Sequence, residues 1–160
     1  MSKESLTRCE FDSSDLLLKL DVTLPGDASA VSPVIRRIMA VINEMGCAAG
    51  RGFEIELALY EALANAIEHG SANDPSKQIQ CCVVCDHARG MLIIIRDPGP
   101  GFDPASVPSP IVGQNIFATG GRGIYLINQL MDEVRFEKGG TEIHMRMKPP
   151  AANSTTSQDE

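Results

Sequence analysis

The chain has no clustered stripe of lysine or arginine, and its formal charge is −7 with a pI near 4.9. That balance argues against a nucleic-acid-binding surface, which needs a basic face. No apolar run approaches the roughly 20 residues of a membrane-spanning helix. The start, Met1-Ser2-Lys3-Glu4, lacks the apolar stretch of a secretory signal. The expectation is a cytoplasmic protein without a direct membrane or nucleic-acid partner. Tryptophan is absent and aromatics make up only 4%, yet 43% hydrophobic and 22% charged residues are ordinary for a globular protein. A chain of 160 residues can bury one real core and is too short for two. There is no internal repeat.

Five cysteines are an odd number, with no extracellular signal to accompany them, so a disulfide framework is not expected. Cys81, Cys82 and Cys85 invite a metal reading. They fall in a strand-like run, however, where Cys81 and Cys85 point to one face and Cys82 to the other, poor geometry for one tetrahedral ion. Buried thiols are the plainer reading.

Hydrophobic periodicity organises the rest. Leu16 to Val22 reads as a strand closed by the turn Leu24-Pro25-Gly26-Asp27. Val31, Val34, Ile35, Ile38, Val41, Ile42 and Met45 then recur at helical spacing, with Ser32-Pro33 and Asp27 competing for the cap and Gly46 as the stop. A second helix runs from Glu54 to Gly70, and the polar segment Ser71 to Ser76 is a loop. Gln78 to Asp86 and Gly90 to Arg96 form a hairpin, its second strand apolar enough to be covered on both faces. Residues 102–120 carry Pro104, Pro108, Pro110 and Gly113 and little periodicity, which predicts a long functional loop. A helix from Gly121 to Met131 and a closing hairpin, Asp132 to Lys138 and Thr141 to Met147, complete the domain. Strands grouped in antiparallel runs with helices between them predict an α+β two-layer sandwich: one mixed, mainly antiparallel sheet with three helices on one face. The domain is expected over 1–148, with a disordered polar tail over 149–160.

Three segments carry chemistry. In the Glu54–Gly70 helix, Leu59, Leu63, Ala66 and Ile67 make the buried stripe, while Glu61, Asn65 and His69 follow at four-residue intervals on another face. Most such Glu/Asn pairs are simply solvated. The second segment, Asp97-Pro98-Gly99-Pro100-Gly101-Phe102, follows directly on the apolar strand. A carboxylate held at a strand end can accept hydrogen bonds from an exocyclic amine such as that of adenine, and the glycines allow close backbone approach. It is equally good material for an ordinary turn. The third, Gly120-Gly121-Arg122-Gly123-Ile124, opens a helix, where free N–H groups and the dipole favour phosphate. By itself it reads as well as a hinge. It lacks the context of a dinucleotide fingerprint, and no Walker-type Gly-Lys-Ser/Thr occurs.

Together and in this order, Glu-x-x-x-Asn, Asp-x-Gly-x-Gly and Gly-x-Gly resemble the ATP-binding boxes of the GHKL (Bergerat-fold) ATPases. Glu61-Ala62-x-x-Asn65-Ala66-x-x-His69-Gly70 and the run from Gly120 to Val134 are similar to the small serine-protein kinases that act as anti-sigma factors in bacteria. The likeness covers roughly residues 16–147. It implies an ATP- and Mg²⁺-dependent kinase that phosphorylates a small antagonist protein on Ser or Thr, holds a sigma factor in a partner-switching system, and forms a homodimer. It further implies Asn65 as the Mg²⁺ ligand and Glu61 as the general base. Asp97 would bind the adenine amine above a wall made by Gly99 and Gly101. Gly121 and Gly123 would cradle phosphate at the end of a lid spanning 102–120, with Arg122 beside them. His69 is expected to pack. Some relatives carry Arg where this chain has Ala118-Thr119, and Arg122 is not assumed to replace it. The alternative is a nucleotide-gated binding module with negligible turnover, for which a base at Glu61 would be unnecessary. A sensor histidine kinase is set aside, because the region before Glu61 contains no histidine.

Overall fold

A computed structural model describes residues 17–101 and 119–149, with the side chains of 119–122 excluded. Residues 1–16, where the expected loose start and the first residue of the expected strand fall, 102–118 of the expected lid, and the tail from 150 onwards lie outside the described residues.

Strand β1 (Leu18–Pro25) alternates as a half-buried strand should. Leu18 and Leu24 are buried, Leu20 and Val22 pack on the same core, and Lys19, Asp21 and Thr23 are exposed. It starts two residues later than the apolar run and continues to Pro25, because pairing with the next strand extends to that residue. Asp27, not Ser32, provides the side-chain cap: its Oδ1 accepts the Ser29 N–H at 3.1 Å and opens a short 3₁₀ turn, Ala28–Ala30. Helix α1 (Val31–Glu44) follows, burying Val31, Val34, Ile35, Ile38, Met39 and Ile42. Its end is a Schellman motif. Gly46, at φ +72, donates to the Asn43 carbonyl, and Cys47 donates to that of Ile42.

Helix α2 (Gly52–Asn65) buries Ile55, Ala58, Leu59, Ala62 and Leu63. Instead of continuing unchanged to Gly70, it widens into a π-helical turn over Ala66–Gly70, closed by the Ser71 N–H on the Ala66 carbonyl at 3.0 Å. β2 (Gln78–Asp86) and β3 (Gly90–Arg96) form the expected hairpin, with Asp86 opposite Gly90. Helix α3 (Thr119–Leu130) leads to β4 (Glu133–Glu137) and β5 (Glu142–Met147), joined by a tight turn at Lys138–Gly140.

The sheet order is β1-β2-β3-β5-β4, and all four pairings are antiparallel. One face carries the main core: Ile79, Cys81, Val83, Cys85, Met91, Ile93, Ile95 and Met145 pack with the apolar sides of the three helices. This is the α+β sandwich with its helices on one side. On the opposite face Cys82, Val84, Leu92 and Ile94 make a separate small buried cluster, so central β3 is buried on both faces. Cysteines 81 and 85 thus part from Cys82 across the sheet, and the four described cysteines are free buried thiols. Burial pushes the Cys81 thiol up to about 12. No group of three or more His, Cys, Asp or Glu among the described residues could hold a metal. No described helix is long and apolar enough to cross a membrane.

Candidate active site

Helix α2 lies between its two helical neighbours, and the far end of the element carries the first candidates. Glu61 and Asn65 are both half-buried, one turn apart. The neighbour of Glu61 is α3: a Cβ placed on Gly123 would stand 3.0 Å from Glu61 Oε1. The first and third segments, separated by about sixty positions in the chain, are therefore in contact, and the lack of a side chain at Gly123 lets the carboxylate lie against the helix. Helix α3 begins at Thr119 rather than Gly121, so Gly120, Gly121, Arg122 and Gly123 all have helical backbone. The Arg122 side chain is outside the described residues.

His69 departs from the expectation of packing. Its ring is half exposed, 3.7 Å from the equally exposed Glu68. The wider winding of the π turn breaks the four-residue alignment that links Glu61 to Asn65, so His69 does not continue their face.

β3 delivers Asp97. Its N–H donates to the Thr141 carbonyl at 2.9 Å, and its Oδ1 accepts the Gly99 N–H at 2.8 Å, so main chain and side chain are both tied. Partial burial raises the Asp97 pKa above the ordinary carboxylate value, and the Gly99 hydrogen bond offsets only part of that. Gly99 and Gly101 are pressed against protein backbone: a Cβ on Gly99 would collide with Gly70, and one on Gly101, at φ +81, with the carbonyl of Gly139. Gly70 in turn abuts the Asp97 side chain. The end of α2, the segment after β3 and the β4–β5 turn thus meet at one place. Neither Gly70, Thr141 nor Gly139 stood out in the sequence as part of the site. For Gly70 a signal was present, as the last residue of the Glu61–Gly70 motif, but no role was attached to it.

The frame around these residues is fastened independently of them. Arg51, just before α2, reaches the end of α3, with Nη2 donating to the Leu130 carbonyl at 3.2 Å and Nη1 to Asp132 Oδ2 at 3.1 Å. Asp132 also accepts the Lys148 N–H at 2.7 Å, which joins both helices to the end of β5.

This arrangement places a carboxylate against the glycine-bearing start of a helix, a carboxamide one turn further along its own helix, and a second, partly desolvated carboxylate at a strand end. Comparison with known proteins agrees with it. The model of the histidine kinase-like ATPase domain matches residues 24–147. The serine-protein kinase RsbW of Staphylococcus epidermidis is 28% identical over 134 residues, covering 79% of this chain and 84% of that one. That of Bacillus subtilis (strain 168) is 26% identical over 126 residues, covering 74% and 77%. The RsbW of Bacillus cereus (strain G9842) is 30% identical over 125 residues, covering 73% and 76%. From the order of its elements, the meeting of its three motifs and the extent of these matches, the chain belongs to the histidine kinase-like ATPase domain family.

Proposed function

We propose that this chain is an ATP- and Mg²⁺-dependent protein serine/threonine kinase. It acts as an anti-sigma factor by holding a sigma factor, and it phosphorylates a small antagonist protein in the same partner-switching system; residues 1–148 form the single kinase domain. The observation that carries the reading is the contact of Glu61 with Gly123, which sets a carboxylate beside the helix start expected to receive phosphate. In this reading Glu61 accepts the proton of the attacking hydroxyl. Gly121 and Gly123, bare in the first turns of α3, let the phosphates come close to the helix start, and Arg122 stands between them. Asp97 accepts from the adenine amine, with Gly99 and Gly101 as the wall behind it.

Asn65 fits the magnesium role by its chemistry. Mg²⁺ keeps several waters and takes few protein ligands where phosphates complete its shell, so one carboxamide is a suitable donor and a carboxylate cage is not required. When bound, the ion supplies neutralisation of phosphate charge. The residues of the chain supply position and a fixed electrostatic environment. The names of the relatives, serine-protein kinases, support a serine acceptor. The partners, a sigma factor and its antagonist, and a homodimer follow from the resemblance of the motifs to the anti-sigma-factor kinases.

The test is transfer from radiolabelled ATP to a partner captured with the chain. Acid-stable label on Ser or Thr of that partner is the expected product. Glu61→Gln should keep Mg·ATP and the partner complex yet lose transfer by a factor of roughly 10² or more, the size of a general-base contribution. Acid-labile label on this chain, or full transfer by Glu61→Gln, would overturn the mechanism. Nucleotide-dependent partner binding without any transfer would instead mark a gated binding module.

A further inference from the structure

Asp97 is the proposed reader of the purine amine, and its own segment ties only one of its two carboxylate oxygens. The Gly99 amide occupies Oδ1 at 2.8 Å, and among the described residues nothing donates to Oδ2. What limits the side chain from behind is Gly70. A Cβ there would overlap Asp97 Cγ, Cβ and Oδ1, and a Cβ on Gly99 would overlap the Gly70 backbone. These three residues therefore fit together only with two bare α-carbons.

Gly70 reaches this position through the π turn, whose extra residue advances the end of α2 toward β3. The turn is anchored from the other side by Ser71. Ser71 is fully buried, and its hydroxyl donates to the Ile67 carbonyl at 2.9 Å and lies 3.5 Å from that of Gly26. Gly26 has no room for a side chain beside Ser71 either, and its N–H is fixed to the Lys77 carbonyl at 2.9 Å. A buried chain of contacts thus runs from the end of β1 through Ser71 and Gly70 to the Asp97 carboxylate.

We infer that Gly70 is a positioning residue for the nucleotide base: bare at the end of the π turn, it sets the rotamer and depth of Asp97 and with them the preference for a 6-amino over a 6-oxo purine. This rests on the reading of Asp97 as the adenine acceptor. A 6-oxo purine presents an oxygen where the carboxylate needs a donor, so a displaced Asp97 costs ATP affinity and leaves inosine triphosphate almost untouched.

Dissociation constants for Mg·ATP and Mg·ITP by calorimetry, on the wild type, Gly70→Ala and Ser71→Ala, test this. Gly70→Ala should cut the ATP-over-ITP preference by about tenfold, the weight of one charged hydrogen bond, with ITP affinity within about twofold of wild type. A folded Gly70→Ala with an unchanged preference, or with both nucleotides weakened equally, overturns the inference and leaves Gly70 as a helix stop. Should Gly70→Ala fail to fold, Ser71→Ala keeps the bare α-carbon but loosens the turn. A preference lowered by about threefold supports the inference, and an unchanged one refutes it. A wild type that binds both nucleotides equally well sinks the adenine reading itself.

Discussion

Asp97 carries opposing demands. Desolvation penalises its charged form, and the Gly99 amide returns only part of the loss, so its folded pKa lies above the unfolded value near 3.8. With the folded pKa raised, the native state binds the proton more tightly than the unfolded chain. The contribution of Asp97 to stability is then greatest below 3.8 and declines as pH rises through the folded value. Asp97→Asn keeps the oxygen that receives Gly99 N–H and removes the charge. The variant should be at least as stable as wild type at pH 7, with the two melting temperatures converging as pH falls below the unfolded value. The same substitution exchanges an acceptor pair for a mixed donor and acceptor, so Mg·ATP should bind more weakly. Melting curves between pH 3 and 8 paired with calorimetry check both halves. A variant less stable than wild type at neutral pH would contradict the desolvation argument.

At the scale of elements, β3, β5 and the β4–β5 turn are joined by a buried ionic cluster on the sheet face away from the helices. Glu142 sits 2.5 Å from Arg96 Nε on β3, 2.9 Å from His144 Nε2 on its own strand and 3.3 Å from Lys138 Nζ in the turn. Burial alone would raise the pKa of Glu142, but the hydrogen bonds from His144 and Arg96 outweigh it and the net shift is downward. A depressed folded pKa means stability that is present above the unfolded value and lost as pH falls through the folded one. Glu142→Gln removes the buried negative charge that Arg96, His144 and Lys138 share, and it should cost about 3 kcal/mol at pH 7. Urea unfolding at pH 7 and again near pH 3 measures this, with the gap narrowing at the acid end. Helix α3 has a separate fastening. Arg51→Ala removes a cation from its C-terminal carbonyls and should lower stability by about 1 kcal/mol, read by the same method.

The whole molecule rests on one central strand. Ile93 and Ile95 of β3 are buried toward the helices, and Leu92 and Ile94 toward the other face. Ile93 has no solvent exposure, and its cross-strand partners Val83 and Met145 are equally buried, so a cavity there cannot collapse easily. Ile93→Ala should cost about 4 kcal/mol by equilibrium unfolding, whereas the exposed Thr23→Ala on edge strand β1 should stay within about 0.5 kcal/mol. Similar losses at both positions would mean that the core is not organised around β3.

What the sequence determined by itself is whatever local pattern controls. The limits of β2 and β3 were legible because their apolar runs are bounded by turn residues, and Gly46 marked the end of α1 because only a left-handed residue completes that cap. The three motifs were legible as motifs. Tertiary structure decided how they meet. A helical pattern does not encode the π turn that detaches His69 from the Glu61–Asn65 face and brings Gly70 to Asp97. The early start of α3 at Thr119 runs against the poor helix propensity of its glycines, and packing on α2 overrides that preference. Gly99 and Gly101 read as points of close backbone approach, and in the fold the backbone that comes close to their bare α-carbons is that of Gly70 and Gly139. Sequence spacing ranks residues along one element. Which element fills the space beside a missing Cβ depends on contacts between residues far apart in the chain, and those exist only once the sheet and helices have closed on a common core.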